Sequence, residues 1–124
     1  MPVLLVIPAR YASTRYPGKP LVDLRTYTIR LRRMGEFLEV FDRLAMPVQL
    51  RYLGRPLGIF TSAVGPLNQV VHLWGFDDIG EFQRRHAERD RDPDWPAYLK
   101  ASADLIVAQE NRLILRANMP SLAG

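Results

Sequence analysis

His72 is the side chain in this sequence best suited to proton transfer. An imidazole changes its charge near neutral pH and acts as a general base or as a donor that orients a ligand. Val70, His72 and Trp74 alternate along the chain, which predicts one strand face with an aromatic neighbour beside the histidine. No nucleophile or orienting acid stands at a fixed spacing from His72. We therefore favour the alternative, a core or interface histidine with one satisfied hydrogen bond, and expect Trp74 to pack rather than to hold a cofactor.

Other polar and aromatic side chains are candidates for binding a ligand rather than reacting with it. Arg25 and Tyr27 alternate in a predicted strand, where they would present a cation and a phenol to an anion. The open alternative is that Tyr27 buries its ring and Arg25 pairs with a carboxylate such as Glu110. The remaining candidates either surround the mouth of one cavity or cap helix ends and satisfy backbone groups. They are Arg51, Tyr52, Gln109 and Asn111, whereas the ligand-binding candidates His72 and Trp74 lie on their own strand.

The composition excludes several other kinds of site. The chain has no cysteine, so it holds no disulfide, thiolate metal site or cysteine nucleophile. Its two histidines, His72 and His86, are too few and too far apart for a recognisable metal motif. We therefore predict no metal and no cofactor. With 124 residues, of which 48% are hydrophobic and 24% charged, the chain predicts one globular core.

The charge pattern and the apolar runs limit the partners. The net charge is +4, but in residues 81–94 the arginines alternate with acids, which is typical of a solvated helix face. We therefore expect no nucleic-acid partner, since such proteins cluster their cations on one face. No apolar run approaches the ~20 residues of a membrane-spanning helix, so we expect no membrane partner. The absence of an export signal predicts a cytoplasmic protein.

The amino-terminal segment is a short apolar strand, residues 3–7, followed by a cationic loop with glycine and proline. Backbone donors and cations in such a loop are suited to an anion, although most strand-loop units bind nothing. Residues 7–20, which read IPARYASTRYPGKP, closely resemble the amino-terminal signature of 3-deoxy-manno-octulosonate cytidylyltransferases. Those enzymes couple CTP to a sugar acid with magnesium. The resemblance implies nucleotide contacts from Arg10, Ser13, Arg15 and Lys19.

This resemblance ends at Leu24, after about two dozen residues. Nucleotidyl transfer depends on positioning and on metal electrostatics, which in that family come from the later part of a longer α/β domain. We therefore treat residues 1–21 as an extension without working CTP machinery, and residues 22–124 as the folded domain. We expect residues 3–7 to be extended and packed against this subunit or a neighbouring one.

The candidates lie on predicted elements in the order β-α-β-β-α-β. Residues 22–31 alternate as a strand that carries Arg25 and Tyr27. A helix follows, in which Pro47 predicts a kink or a division and Gly54 predicts the end. The apolar stripe of this helix consists of Phe37, Leu38, Phe41, Leu44, Ala45 and Val48.

A hairpin and a final strand supply the rest of the predicted sheet. Residues 57–63 and 69–76 flank a short loop of hairpin length with glycine and proline in it. The final strand covers 105–107 and 113–115 and bends around 109–111.

The second helical region lies between the hairpin and the final strand. Asp77 or Asp78 caps its first helix, and residues 92–94 divide it from a second one. The predicted inner faces consist of Ile79, Phe82, His86, Trp95, Tyr98, Leu99 and Ser102.

This order of elements predicts a ferredoxin-like α+β fold, a four-stranded antiparallel sheet with helices on one face. The strand at 69–76 has apolar side chains on both faces, with Val70 and Trp74 on one and Val71 and Leu73 on the other. A sheet that is apolar on both faces needs a second cover. An identical subunit is the simplest cover, so we expect a homodimer or a higher even oligomer.

Four separate motifs in residues 22–118 resemble the NIPSNAP family: 25–28 (RTYT), 49–54 (QLRYLG), 65–74 (GPLNQVVHLW) and 109–112 (QENR). The resemblance implies a dimeric α+β barrel, in which two ferredoxin-like subunits pack sheet to sheet. The biochemical role of the family is unsettled. Proteins with this fold include monooxygenases, isomerases and haem proteins, but a fold does not transfer chemistry.

Three functions from different classes follow from these observations. The first is a NIPSNAP-like homodimer that binds a small, partly apolar or anionic molecule between sheet and helices, with or without a weak metal-free activity. The second is the nucleotidyltransferase implied by the amino-terminal signature. The third is a structural or interaction module with a fully packed interior. A cavity reached past His72 or Arg25 would favour the first function over the third.

Overall fold

The computed structural model describes residues 18–122, in which four strands form one antiparallel sheet. The predicted strand at 3–7 lies outside the described residues. The strands are β1 (Leu21–Ile29), β2 (Gly58–Thr61), β3 (Gln69–Phe76) and β4 (Ile106–Leu115). Their order in the sheet is β2-β3-β1-β4, so β1 and β3 are central. The ferredoxin-like prediction is confirmed.

The helical segments are α1 (Met34–Val40), a π-helical turn (Phe41–Ala45), α2 (Met46–Tyr52), α3 (Ile79–Asp90), α4 (Trp95–Ser102) and a 3₁₀ turn (Pro120–Leu122). None of the helices within residues 18–122 has the length and apolarity required to span a bilayer.

Pro47 changes the winding of the first helix without ending it. Proline has no N–H, and its ring clashes with the carbonyl of the residue four positions earlier, which here is Arg43. The π-helical turn Phe41–Ala45 includes that residue and widens the helix there. The irregularity predicted at Pro47 is therefore a π turn, in which Phe41 and Ala45 are buried.

Gly54 ends this helical region with a positive φ of +77°, as the sequence predicted. Gly54→Ala should lower the free energy of unfolding by about 1 kcal/mol, because a Cβ disfavours this conformation. Gly35→Ala is the matched control, because Gly35 lies in α1 and an added Cβ has no neighbour within 4 Å at either position. It should raise stability by up to ~1 kcal/mol. Urea denaturation checks both, and equal signs would contradict the argument.

One face of the sheet packs against all the helices. The alternation predicted for β1 and β3 is confirmed, because every second side chain of both strands is buried on this face. The register places Arg25 opposite His72 and Tyr27 opposite Val70. The main core cluster includes Tyr27, Ile29, Phe37, Phe41, Val48, Val70, Trp95, Tyr98 and Leu105.

The two outer strands differ from the prediction. β2 is confined to Gly58–Thr61, because the residues that follow form a loop in which Gly65 and Asn68 have positive φ. β4 is one continuous strand through residues 109–111, so the predicted bend there is wrong. The register instead shifts opposite Thr28 and Ile29, near the start of β4.

The charged stretch 81–94 is not a uniformly solvated face. Glu81, Arg89 and Asp92 are buried, whereas Ile79 in the same region is 55% exposed. Leu99 in α4, also predicted to face inward, is 52% exposed. Glu81 is buried because it belongs to the helix cap: its N–H donates to Asp78 and its carboxylate accepts from the N–H of Asp77.

The opposite face of the sheet is apolar at its centre. Val22 and Leu24 of β1 lie beside Val71 and Leu73 of β3, and Phe60 extends this face onto β2. Phe60 is 57% exposed, and Leu24, Val71 and Leu73 are half-buried. We call these five side chains the open face. A protein surface seldom leaves such a contiguous apolar area to water.

Candidate functional site

A pocket of about 330 Å3 opens between the β1–β4 side of the sheet and the helices α3 and α4. The sheet supplies Arg25, Tyr27, Ile106 and Gln109. The helical side supplies Arg89, Asp90, Trp95, Tyr98, Leu99 and Ser102. Aromatic rings and two buried guanidinium groups therefore enclose the same space.

Arg25 is held in place by two neighbours on the helix-facing side. Its Nε donates to Oδ2 of Asp23 at 2.7 Å, and its Nη2 lies 3.1 Å from Nε2 of His86. The partner is therefore Asp23 and not the predicted Glu110, which pairs with Thr26 in the register and so lies on the other face. Asp23 is fully buried, and its Oδ1 has no hydrogen-bond partner within residues 18–122.

His86 is a neutral acceptor in this group. A guanidinium only donates, so Nε2 of His86 accepts from Arg25, and Nδ1 carries the proton that is donated to the carbonyl of Phe82 at 2.8 Å. Burial lowers the pKa of His86 to about 4. The sequence did not single out this residue as a site neighbour. We call Asp23, Arg25 and His86 the buried charge cluster.

Tyr27 buries its ring beside the cluster of Asp23, Arg25 and His86, as one of the two predicted alternatives has it. It packs edge-on against Phe37 and against His72, at centroid distances of 6.2 and 4.7 Å. Part of Tyr27 still lines the pocket. Tyr27 therefore belongs to both the core and the pocket.

Arg89 supplies the second buried guanidinium, from the last turn of α3. Its guanidinium carbon lies 4.3 Å from the centre of the Trp95 ring, a cation–π arrangement. Its Nη1 donates to Oε1 of Gln49 at 3.1 Å, and its Nη2 donates to Oδ1 of Asp90 at 2.9 Å. The sequence did not predict Arg89, because its alternating acidic neighbours are typical of a solvated helix.

Tyr98 and Ser102 form the α4 wall, one turn apart on the buried side of the helix. The hydroxyl of Tyr98 is buried and has no hydrogen-bond partner in the described part of the chain. Burial raises the pKa of Tyr98, so the phenol stays protonated near neutral pH. Helical spacing predicted that these residues face inward, but not that they meet Arg25.

His72 and Trp74 lie in the core and do not line the pocket. Nε1 of Trp74 donates to Nδ1 of His72 at 2.8 Å, so the imidazole carries its proton on Nε2. That Nε2 has no partner within residues 18–122. Burial first, and then the charge of Arg25, lowers the pKa of His72 to about 3. These contacts favour the structural interpretation, and a catalytic role for His72 stays a prediction.

Arg51 and Tyr52 lie outside the pocket, where they join the end of α2 to the turn between α3 and α4. Both donate to Oδ2 of Asp92, Tyr52 at 2.8 Å. Oδ1 of Asp92 accepts from the backbone N–H of Asp94. That backbone donor, followed by Tyr52, lowers the pKa of Asp92. This arrangement matches the predicted alternative in which such residues satisfy groups at helix ends.

Gln109 and Asn111 lie on the edge strand β4, and of these two only Gln109 lines the pocket. Nε2 of Gln109 lies 3.4 Å from Oδ1 of Asn111, and both side chains are exposed. Of the eight predicted ligand-binding candidates, the pocket therefore brings together Arg25, Tyr27 and Gln109.

Residues 18–122 contain no group of three or more histidine, aspartate or glutamate side chains placed to hold a metal ion. The acids nearest to the pocket, Asp23 and Asp90, are each paired with an arginine. The arrangement is therefore suited to binding through hydrogen-bond donors and aromatic contacts.

Of the predicted nucleotide-binding residues, Arg10, Ser13 and Arg15 lie outside the described residues. The fourth, Lys19, forms ion pairs with Asp77 at 3.1 Å and with Glu81 at 3.6 Å. Lys19 thus connects the segment before β1 to the start of α3.

The sheet order and the one-sided helical layer define this chain as a ferredoxin-like α+β protein with a pocket between sheet and helices. The family model for NIPSNAP matches residues 22–120. The chain therefore belongs to the NIPSNAP family.

Solved structures and a curated relative agree with this assignment. A NIPSNAP-like domain protein of Burkholderia xenovorans is 37% identical, with a TM-score of 0.74 over 78% of this chain and 84% of that one. A NIPSNAP family protein with unknown function from Agrobacterium tumefaciens is 30% identical, with a TM-score of 0.77 over 84% and 94%. The NipSnap homolog of Dictyostelium discoideum is 27% identical over 96 residues. This match covers 75% of our chain but only 41% of that relative.

The amino-terminal resemblance is also found, over a short segment. A 3-deoxy-manno-octulosonate cytidylyltransferase of Burkholderia lata is 83% identical over 23 residues, which is 18% of this chain and 9% of that enzyme. Such a segment carries no catalytic domain with it. The sheet in the described part of the chain is antiparallel, and Lys19, which precedes it, pairs with Asp77. Neither feature supports CTP chemistry.

Proposed function

We propose that this NIPSNAP protein is a homodimer that binds a small, partly apolar molecule in the pocket between its sheet and its helices. The observation that carries the proposal is the pocket of about 330 Å3 reached past Arg25. A structural or interaction module would have a fully packed interior instead. The volume lies near the lower end of the range for ligand sites, about 300–1,000 Å3.

The open face supports the dimer. Its apolar side chains lie opposite the helices, and a second sheet placed face to face would bury them. In a two-fold symmetric dimer both subunits contribute the same patch, so the open face alone can form both sides of the interface. The result would be the closed α+β barrel that the family resemblance implies, with one pocket in each subunit.

Leu24→Lys should convert the dimer into a folded monomer, because the ammonium would have to lose its water at the centre of the open face. Light scattering at micromolar concentration measures the mass, and circular dichroism checks the fold. Gln83→Lys adds the same charge on the exposed side of α3 and should leave the dimer intact. A wild-type protein that is monomeric at this concentration would refute the dimer.

The side chains around the pocket favour binding over turnover. His86 is neutral and both ring nitrogens are engaged, and Tyr98 keeps its proton at neutral pH. Neither group is therefore poised to take a proton from a ligand. The pocket offers donors at fixed positions and apolar walls, which is what orientation and affinity require.

Gln109→Trp tests the binding part of the proposal. The indole should cover the mouth of the pocket and weaken the binding of single-ring fragments by about tenfold or more. Asn111→Trp is the matched control, because Asn111 is an exposed residue on the same strand face but outside the pocket. NMR titration of the ¹⁵N-labelled dimer follows the backbone signals of Tyr98, Ser102 and Gln109. If no fragment shifts these signals, the structural module remains and binding is refuted.

A further inference from the structure

We infer that the pocket takes a small aromatic monocarboxylate, in which the ring lies against Trp95 and Tyr98 and the carboxylate meets the two guanidinium groups. This inference rests on the proposed function and narrows it to one class of ligand. It combines three observations: the donor character of the pocket, the distribution of charge around it, and its aromatic walls.

The buried polar side chains Arg25, Arg89 and Tyr98 that line the pocket all carry hydrogen-bond donors. An arginine carries five N–H donors and no acceptor. Arg25 directs its Nε to Asp23 and its Nη2 to His86, and it also interacts with the side chain of Tyr27, which lines the same pocket. The buried hydroxyl of Tyr98 has no partner in the described part of the chain. A ligand with acceptor oxygens satisfies these groups, whereas an ammonium has no acceptor and cannot bond to them.

The charge around the pocket favours one negative charge on the ligand. Arg25 and Arg89 are both about nine-tenths buried and both line the pocket. The carboxylate of Asp23 compensates the charge of Arg25 from a position outside the pocket lining. Asp90 balances Arg89 by accepting from its Nε and its Nη2, although the side chain of Asp90 is 57% exposed. A ligand carboxylate can take the place of Asp90 on Arg89 while Asp90 turns to water.

The apolar walls are flat. The rings of Trp95 and Tyr98 lie 4.9 Å apart at an angle of 40°, and Tyr27 lines the same pocket. The guanidinium of Arg89 stacks over Trp95 and so brings the positive charge to the edge of the aromatic wall. A planar ring contacts such surfaces better than a puckered one of the same size. The volume leaves room for one ring with a short substituent.

Isothermal titration of the full chain with four compounds tests the inference. The compounds are benzoate, benzamide, benzylamine and cyclohexanecarboxylate. We expect benzoate to bind about tenfold more tightly than benzamide and cyclohexanecarboxylate, and benzylamine to bind most weakly. The affinity for benzoate should fall as the salt concentration rises, because an ion pair is formed.

Three variants assign the effect to Arg89. Arg89→Gln should weaken benzoate about tenfold and leave benzamide nearly unchanged, whereas Arg84→Gln removes an equal charge outside the pocket and should change neither. Thermal unfolding reports whether each variant is folded, and Arg89→Lys, which keeps the charge, should retain part of the affinity. If Arg89→Gln does not fold, the comparison of the four compounds on the wild type decides alone.

The outcomes separate this inference from the proposed function. Tighter binding of benzylamine or benzamide, with NMR shifts at Tyr98 and Ser102, overturns the carboxylate and leaves a small-molecule pocket. Benzoate binding that Arg89→Gln does not change also overturns the inference. If none of the four compounds shifts these signals, the inference and the binding part of the proposed function both fail.

Discussion

Lowering the pH from 7 to 5 should reduce the free energy of unfolding by about 4 kcal/mol. The two histidines cause this loss. In the folded protein the pKa of His72 is lowered to about 3 and that of His86 to about 4, in both cases chiefly by burial. In the unfolded chain both imidazoles have the ordinary value of 6.5. The unfolded state therefore takes up protons below that value while the folded state stays neutral.

The sign follows from this difference in proton uptake. The stabilisation is complete above pH 6.5 and is lost as the pH falls towards the folded-state values of about 4 and 3. At pH 5 each histidine accounts for about 2 kcal/mol, because each is 1.5 pH units below its unfolded value. The charges around His86 are Arg25, Arg89 and Asp23, and the charge that acts on His72 is Arg25.

Urea denaturation at pH 7, 6 and 5 measures this dependence. His72→Gln and His86→Gln should each remove about half of it, although each variant is itself less stable at pH 7. The window above pH 5 avoids most of the titration of carboxylates. A stability that stays constant from pH 7 to pH 5 would show that neither histidine is neutral and buried in the folded protein.

Arg25→Met should destabilise the protein by about 3–5 kcal/mol, because it leaves the carboxylate of Asp23 buried without a counter-charge. Asp23 is fully buried and Arg25 is 8% exposed, so water cannot replace either partner. Asp23→Leu alone should have a similar effect, since it leaves the guanidinium unpaired.

The double variant Asp23→Leu/Arg25→Met decides how much of this loss is due to isolated charge. It removes both charges, so its loss of stability should be well below the sum of the two single losses, by at least about 2 kcal/mol. Chemical denaturation of the four proteins completes the cycle. Additive losses would mean that the ion pair of Asp23 and Arg25 contributes nothing beyond packing.

The sheet could be predicted from the sequence because its signal is local. A period of two places every second residue of a strand on the same face, and this determined the buried sides of β1 and β3. The same spacing places Asp23 beside Arg25. The partner of Arg25 was therefore within reach of the pattern, whereas the position of Glu110 depends on the register of β4, which no local signal gives.

The candidate site could be predicted only in part. Arg25, Tyr27 and Gln109 lie on strands, and the alternation of side chains along a strand indicates which of them face the helices. The helical wall formed by Trp95, Tyr98 and Ser102 was predicted as an apolar face, but helical spacing does not say what the face contacts. Arg89 was missed because the burial of a charged residue depends on tertiary neighbours, here Gln49 and Trp95.

The π turn Phe41–Ala45 sets the rotational phase of everything that follows it in the helix. Each residue of an α-helix turns the chain by about 100°. If the same number of residues were wound as a regular α-helix instead, α2 would be rotated about its own axis by about that amount. Gln49 would then leave Arg89, and Tyr52 would leave Asp92. The geometry of the pocket, which Arg89 lines, thus depends on how one helical turn is wound.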